Sequence, residues 1–264
     1  MNQAYTFTQL VDIMRKLRGP GGCPWDAEQT HVSLTRYLLE ETYEVIEAID
    51  EKSPQHLKEE LGDLLLQPVF HAAIAEESGA FSIDDVISAL CDKLIRRHPH
   101  VFGDLDIKDS DAQVANWEKI KKLEKGVERQ SALSGVPDHL PALLKAHKIG
   151  EKASRVGFDW EHTDQVFAKV MEELHEFEEA WAGGDPLRME DELGDLLFAI
   201  TNLGRFLHLN PEEALRKTIS RFQKRFSYVE TALLHRGVSM QNATFEEMDL
   251  LWNNAKRAEQ LDKL

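Results

Sequence analysis

The chain has 264 residues, of which 42% are hydrophobic and 30% charged, and its formal net charge is −16. That length suits one large domain or two of about 130 residues, each big enough to bury a core. The hydrophobic content excludes a disordered chain, and the acid excess excludes the generic basic footprint that binds nucleic acid or anionic lipid.

Taken in chain order, the opening "MNQAYTFTQL" lacks the charged start and long apolar core of a signal peptide. No apolar run approaches the roughly 20 residues needed to span a bilayer, so a cytoplasmic protein is expected. "GGCPWD" (Gly21–Asp26) holds one of two cysteines, Cys23 and Cys91; neither sits in a C-x-x-C pair, so no zinc or disulfide framework is legible. Leu38, Val45, Ile46 and Ile49 recur at helical spacing around "EETYEVIEAI". Ser53 followed by Pro54 is a helix start, and the helix it opens carries "ELGDLL" (Glu60–Leu65). Phe81-Ser82-Ile83-Asp84 and, later, Leu209-Asn210-Pro211-Glu212 open further helices in the same way. Glu124–Leu143 is rich in Gly, Ser and Pro without an apolar stripe, which predicts a linker and a boundary near Ser131. "HTDQVFAKVMEEL" then leads into a second acidic helix. No stretch alternates as a strand ladder would. The expected class is all-α, two helical-bundle domains spanning 1–130 and 131–264.

These domains read as a duplication. "ELGDLL" returns letter for letter at Glu192–Leu197, an offset of 132, and "EETYE" (Glu40–Glu44) then falls on "EELHE" (Glu172–Glu176). "DKLIRRHPHVF" (Asp92–Phe102) pairs with "SRFQKRFSYVE" (Ser220–Glu230), and "NWEKIKK" (Asn116–Lys122) with "LWNNAKR" (Leu251–Arg257).

Residues three apart on a helix share a face. Glu41 and Glu44 therefore project together, as do Glu60 and Asp63. The short connector Asp50–Ser53 predicts an antiparallel hairpin in which the four meet. Glu173, Glu176, Glu192 and Asp195 repeat the arrangement. Carboxylates clustered between apolar stripes repel and are costly to desolvate, and a divalent cation removes that penalty. All-oxygen donors suit Mg²⁺, with Mn²⁺ as a substitute. Gly62 and Gly194 each cost about 1 kcal/mol inside a helix, which suggests that another helix or a ligand approaches there. A solvated acidic face is the bland alternative, and the doubled spacing argues against it. Glu172 and His175 form the Glu-x-x-His pair of di-iron bundles, but the first half has Tyr43 in place of the histidine.

Each half also pairs cations and a tryptophan at helical spacing: Lys93 with Arg97 and Trp117 with Lys121, then Arg221 with Arg225 and Trp252 with Lys256. Cations neutralise phosphate oxygens and a tryptophan stacks on a base, so a nucleotide is the ligand class. There is no P-loop and no G-x-G-x-x-G fingerprint.

Together, "EETYE…ELGD", "EELHE…ELGD", "GGCPWD", "RRHPHVF", "NWEKIK" and "VGFDW" (Val156–Trp160) resemble the tandem MazG-type nucleoside triphosphate pyrophosphohydrolases over almost the whole chain. The resemblance implies a four-helix core completed by dimerisation, Mg²⁺ as cofactor, and conversion of a nucleoside triphosphate to the monophosphate and pyrophosphate. It implies Glu173, Glu176, Glu192 and Asp195 as metal ligands, Arg221, Arg225 and Lys256 at the phosphates, and Trp252 at the nucleoside. The first half would use Glu41, Glu44, Glu60 and Asp63 with Lys93, Arg97, Trp117 and Lys121. Glu172 is the expected proton acceptor for a water attacking the α-phosphorus. Stacking tolerates any base, so broad specificity is expected. The competing class is a nucleotide-sensing helical scaffold without turnover. Pro68 lies one turn beyond Asp63, where the second half has Ile200; a kink there would disturb the first site and leave most catalysis to the second half.

Overall fold

The computed structural model describes residues 4–107, 109, 112–113, 116–117, 120 and 131–261, without the side chains of Gln260 and Leu261. Every regular element among them is helical. The chain separates into two compact units, residues 1–124 and 125–264.

The first unit contains α1 (Phe7–Arg18), α2 (Pro24–Glu28), α3 (Thr35–Glu51), α4 (Pro54–Glu77), α5 (Ile83–Arg97) and α6 (Pro99–Phe102). Thr6 and Gln9 cap α1 reciprocally. The turn after it is tight: Cys23 N–H donates to the Leu17 carbonyl at 2.7 Å, and a Cβ on Gly22 would lie 2.2 Å from that same oxygen. The Arg18 side chain, only 4% exposed, anchors this turn. It donates to the carbonyls of Asp26 and Gln29 and grips both carboxylate oxygens of Glu77, pulling the Glu77 carboxyl below its ordinary range. Met14, Leu34, Val69 and Phe70 form the centre of the core between α1, the start of α3 and the second half of α4.

The second unit contains α7 (Ala142–Ser154), α8 (Thr163–Gly183), α9 (Pro186–Phe206), α10 (Pro211–His235) and α11 (Phe245–Leu261). Val229, Leu233 and Leu251 make one core cluster, with Trp252 packed against it. Arg205 reaches across to the "VGFDW" loop, placing Nη1 2.9 Å from Asp159 Oδ2 while Nε bonds Asn202 at 2.6 Å.

The hairpins α3–α4 and α8–α9 are built alike because their turns carry the same local instructions. Lys52 and Gly184, related by the offset of 132, both adopt left-handed backbone, with φ of 55° and 69°. Ser53 and Asp185 then cap the following helices, and Pro54 and Pro186 occupy the first helical position, where a missing N–H costs nothing. The expected starts at Ser82 and Asn210 also form.

Pro68 does not end α4. The helix runs unbroken from Pro54 to Glu77 with Pro68 inside it. A Cβ on Gly62 or Gly194 would meet nothing within 4 Å among the described residues, so no described helix of the chain packs against either position. Both hairpins leave large apolar side chains in solvent, among them Leu61 and Leu65 on α4 and Leu193, Leu197 and Phe198 on α9.

Candidate active site

In the first unit α3 supplies Glu41 and Glu44, and α4 supplies Glu60 and Asp63. One carboxylate oxygen from each of Glu41, Glu60 and Asp63 lies within 4.8 Å of the others. Burial raises the Glu41 carboxyl above its ordinary range, and the charges of Asp63, Glu44 and Glu60 and a hydrogen bond with Glu44 raise it further. All four acids thus act on one another, and Asp63 joins the group despite Pro68 beyond it. His56 edges this cluster, its Nε2 3.1 Å from Glu60 and its Nδ1 2.8 Å from Glu51. The bond to Glu51 is the main reason that the His56 imidazole is raised.

The second unit gathers a different subset. Oxygens of Glu173, Glu176 and Glu192 lie within 4.8 Å of one another, and Asp195 is outside that group. Glu173 is only 6% exposed. Desolvation and then the charge of Glu173 raise the Glu176 carboxyl. Lys169, one turn before Glu173, sets its ammonium 2.6 Å from Glu173 and 2.8 Å from Glu172. Arg188 Nε is 3.5 Å from Glu192. His175 is 70% exposed and faces Glu178 and Glu179, so the Glu-x-x-His reading gathers no metal group.

Carboxylate oxygens this close repel one another, and a cation among them relieves the repulsion. Hard oxygen donors without sulfur or histidine in the group fit Mg²⁺ or Mn²⁺. The residues present therefore fit a divalent cation in both units.

The paired cations lie on helices other than those that carry the acids. On α10 and α11, Arg225 makes a two-pronged pair with Glu259 and lies 5.7 Å over the Trp252 ring. Phe222 packs on the same ring at 4.9 Å. Arg221 donates to Thr218, and Lys256 is half-buried on α11. In the first unit Trp117 Nε1 donates to the Arg97 carbonyl at 2.9 Å, and its ring meets His98 edge-on. Lys93 lies half-buried on α5, and Lys121 lies outside the described residues. The described carboxylate partner of Arg225 is Glu259, outside the cluster of three. Sequence reasoning missed the counter-ions His56, Lys169 and Arg188. Each stands four residues before the acid it meets, so the i,i+4 rule held the signal.

Two units of this kind, each a carboxylate-lined helix hairpin followed by a helix bearing paired cations, define a class of all-α metal-dependent nucleotide-processing proteins. The chain matches the family described as MazG nucleotide pyrophosphohydrolase domain over residues 29–102 and 162–229, one match per hairpin. It is 51% identical over 250 residues to the nucleoside triphosphate pyrophosphohydrolase/pyrophosphatase MazG of Thermotoga maritima, covering 95% of each chain. It is 45% identical to the nucleoside triphosphate pyrophosphohydrolase of Escherichia coli K12 over 98% of this chain and 99% of that one. It is also 48% identical to YabN of Bacillus subtilis, an uncharacterised protein of which it spans 52%. The protein belongs to the MazG family.

Proposed function

We infer that this protein hydrolyses nucleoside triphosphates to the monophosphate and pyrophosphate with Mg²⁺. The observation that carries the reading is the duplicated carboxylate cluster, set between paired helices in a chain similar to MazG enzymes along nearly its whole length.

In the second unit Glu173, Glu176 and Glu192 would hold the cation, with Asp195 one turn further along α9 completing the set. Bound there, a divalent cation neutralises phosphate oxygens and makes water more acidic. Glu172, 58% exposed at the rim of the cluster, accepts the proton of the water that attacks the α-phosphorus. The bond to the α–β bridging oxygen breaks and pyrophosphate leaves. Arg221, Arg225 and Lys256 offset the charge building on the leaving group, and Trp252 stacks on the base. Stacking accepts any base, so the substrate range is broad, as pool cleaning requires. The first unit would use Glu41, Glu44, Glu60 and Asp63 in the same places, with Lys93, Arg97, Trp117 and Lys121.

The functional chain is a homodimer of two-domain protomers, 1–130 and 131–264. Support comes from the solvent-facing leucines on α4 and α9. A hairpin cannot enclose its own cluster, and a second hairpin would close a four-helix core over it. Light scattering should give twice the chain mass. No helix among the described residues is long and apolar enough to cross a membrane, and the reading places the protein in the cytoplasm without a nucleic-acid partner. Chromatography of the products of an α-labelled triphosphate tests the reaction: labelled monophosphate with unlabelled pyrophosphate is expected, and diphosphate with orthophosphate overturns it.

A further inference from the structure

The two clusters have diverged where their counter-ions sit. At the offset of 132, Lys169 of the second unit corresponds to Tyr37 of the first, and Arg188 corresponds to His56. Lys169 places a full positive charge on the buried carboxylate, 2.6 Å from Glu173. Tyr37 has none to offer, and its hydroxyl is taken up by Arg36. The influences on Glu41 are burial and its acidic neighbours Asp63, Glu44 and Glu60, with no cation among them, and Glu60 meets His56.

Lys169 holds Glu173 Oε1, and a divalent cation on the same carboxylate would lie close enough to the ammonium for the two positive charges to repel. Mg²⁺ demands a near-octahedral shell at about 2.0–2.1 Å, so the ammonium on Oε1 opposes a second cation on Glu173 and must move away for the full carboxylate to serve. A charge-assisted bond of this length to a carboxylate that is 8% exposed is among the strong ones. The cation therefore meets a lysine on the buried carboxylate in the second unit, at 2.6 Å, and a histidine at the edge of the cluster, 3.1 Å from Glu60, in the first. A polyanionic ligand changes this balance, because its phosphate oxygens offer the displaced ammonium a new partner. Metal and triphosphate then assist each other, and by linkage the assistance is reciprocal.

We propose that Lys169 is a resident counter-ion that the metal must displace, so that the first cluster binds Mg²⁺ on its own while the second loads it together with a triphosphate. This inference rests on the metal-dependent reading of both clusters. It makes Lys169 a positioning residue that gates metal entry. Its removal should strengthen metal binding, whereas losing an ordinary structural ion pair would weaken the site.

The test is calorimetric titration of the full chain with MgCl₂ alone, and again with the α,β-methylene analogue of ATP present. Without nucleotide, the wild type should show one binding event per chain, abolished by Glu41→Gln. The second event should be at least about tenfold weaker and should tighten at least about tenfold with the analogue, a typical coupling range. Lys169→Met should bring the second event within reach of Mg²⁺ alone and shrink the effect of the analogue. Lys169→Arg keeps the charge and should behave as wild type. Thermal melts give a second readout. Without metal Lys169→Met should melt below wild type, and Mg²⁺ should raise its melting temperature more than it raises that of wild type. Unchanged Mg²⁺ affinity in a folded Lys169→Met chain, or two equivalent events in the wild type, would overturn the proposal. Absence of any Mg²⁺ binding with the analogue present would instead remove the metal-dependent reading beneath it.

Discussion

Arg225 on α10 and Glu259 on α11 grip each other in two places, with Nη2 2.7 Å and Nε 3.1 Å from Glu259 Oε2. The carboxylate holds the guanidinium over the Trp252 ring. If Arg225 meets phosphate, Glu259 sets where it waits. Glu259→Gln should therefore raise KM about fivefold with kcat nearly unchanged, the equivalent of about 1 kcal/mol for a partly exposed pair. Steady-state kinetics checks this, and a loss confined to kcat would contradict it.

The two halves should contribute unequally. Glu176 belongs to the three-carboxylate group of its unit, whereas in the first unit Glu44 stands beside the group and Asp63 completes it. The second unit also has Arg221 where the first has Lys93, and a guanidinium can grip phosphate in two places. Pyrophosphate release at saturating Mg²⁺ should fall on the order of 100-fold in Glu176→Gln and remain mostly intact in Glu44→Gln. Equal losses would place catalysis in both halves.

Asp159 provides a pH signature. Its hydrogen bond to Arg205 holds the Asp159 carboxyl below its ordinary range. A group whose folded pKa is depressed adds stability that is complete above its unfolded pKa, about 3.9, and is lost as pH falls through the lower folded value. Asp159→Asn should cost about 2 kcal/mol at pH 7, the range for a charge-assisted hydrogen bond. Denaturant melts across pH should show wild type and variant converging in strong acid. A gap that persists below the folded pKa would assign the effect to packing.

The glycines separate fold from site. At Gly22 a Cβ would meet backbone at 2.2 Å, and at Gly150 it would lie 3.1 Å from both Arg205 and Asn202. Gly22→Ala should be severely destabilising, by about 3 kcal/mol or more, and Gly150→Ala milder, by about 1–2 kcal/mol. Gly194→Ala has open space and should gain up to about 1 kcal/mol from helix propensity. If substrate or a second copy approaches Gly194, that same variant should lose at least about tenfold in kcat/KM. A variant both more stable and fully active would mean that nothing binds against Gly194.

Much of this protein was determined by local rules that a sequence carries openly. Ser53, Ser82 and Asn210 cap their helices because a side-chain oxygen satisfies a backbone N–H two or three residues on, whatever the rest of the fold does. The duplicated spacing of the acids set both hairpins, since residues three apart must share a helix face. Tertiary structure alone decided which three oxygens in each unit converge, and it chose Asp63 in the first and Glu176 in the second. Packing also sent the Trp117 N–H to the Arg97 carbonyl and seated the Lys169 ammonium against Glu173. Pro68 lacks the N–H for one helical hydrogen bond, and α4 continues past it. Its neighbours Val69 and Phe70 are buried in the core, and tertiary burial outweighs one lost helical hydrogen bond. Choices among side chains depend on distances between elements, and those distances exist only after the helices have packed.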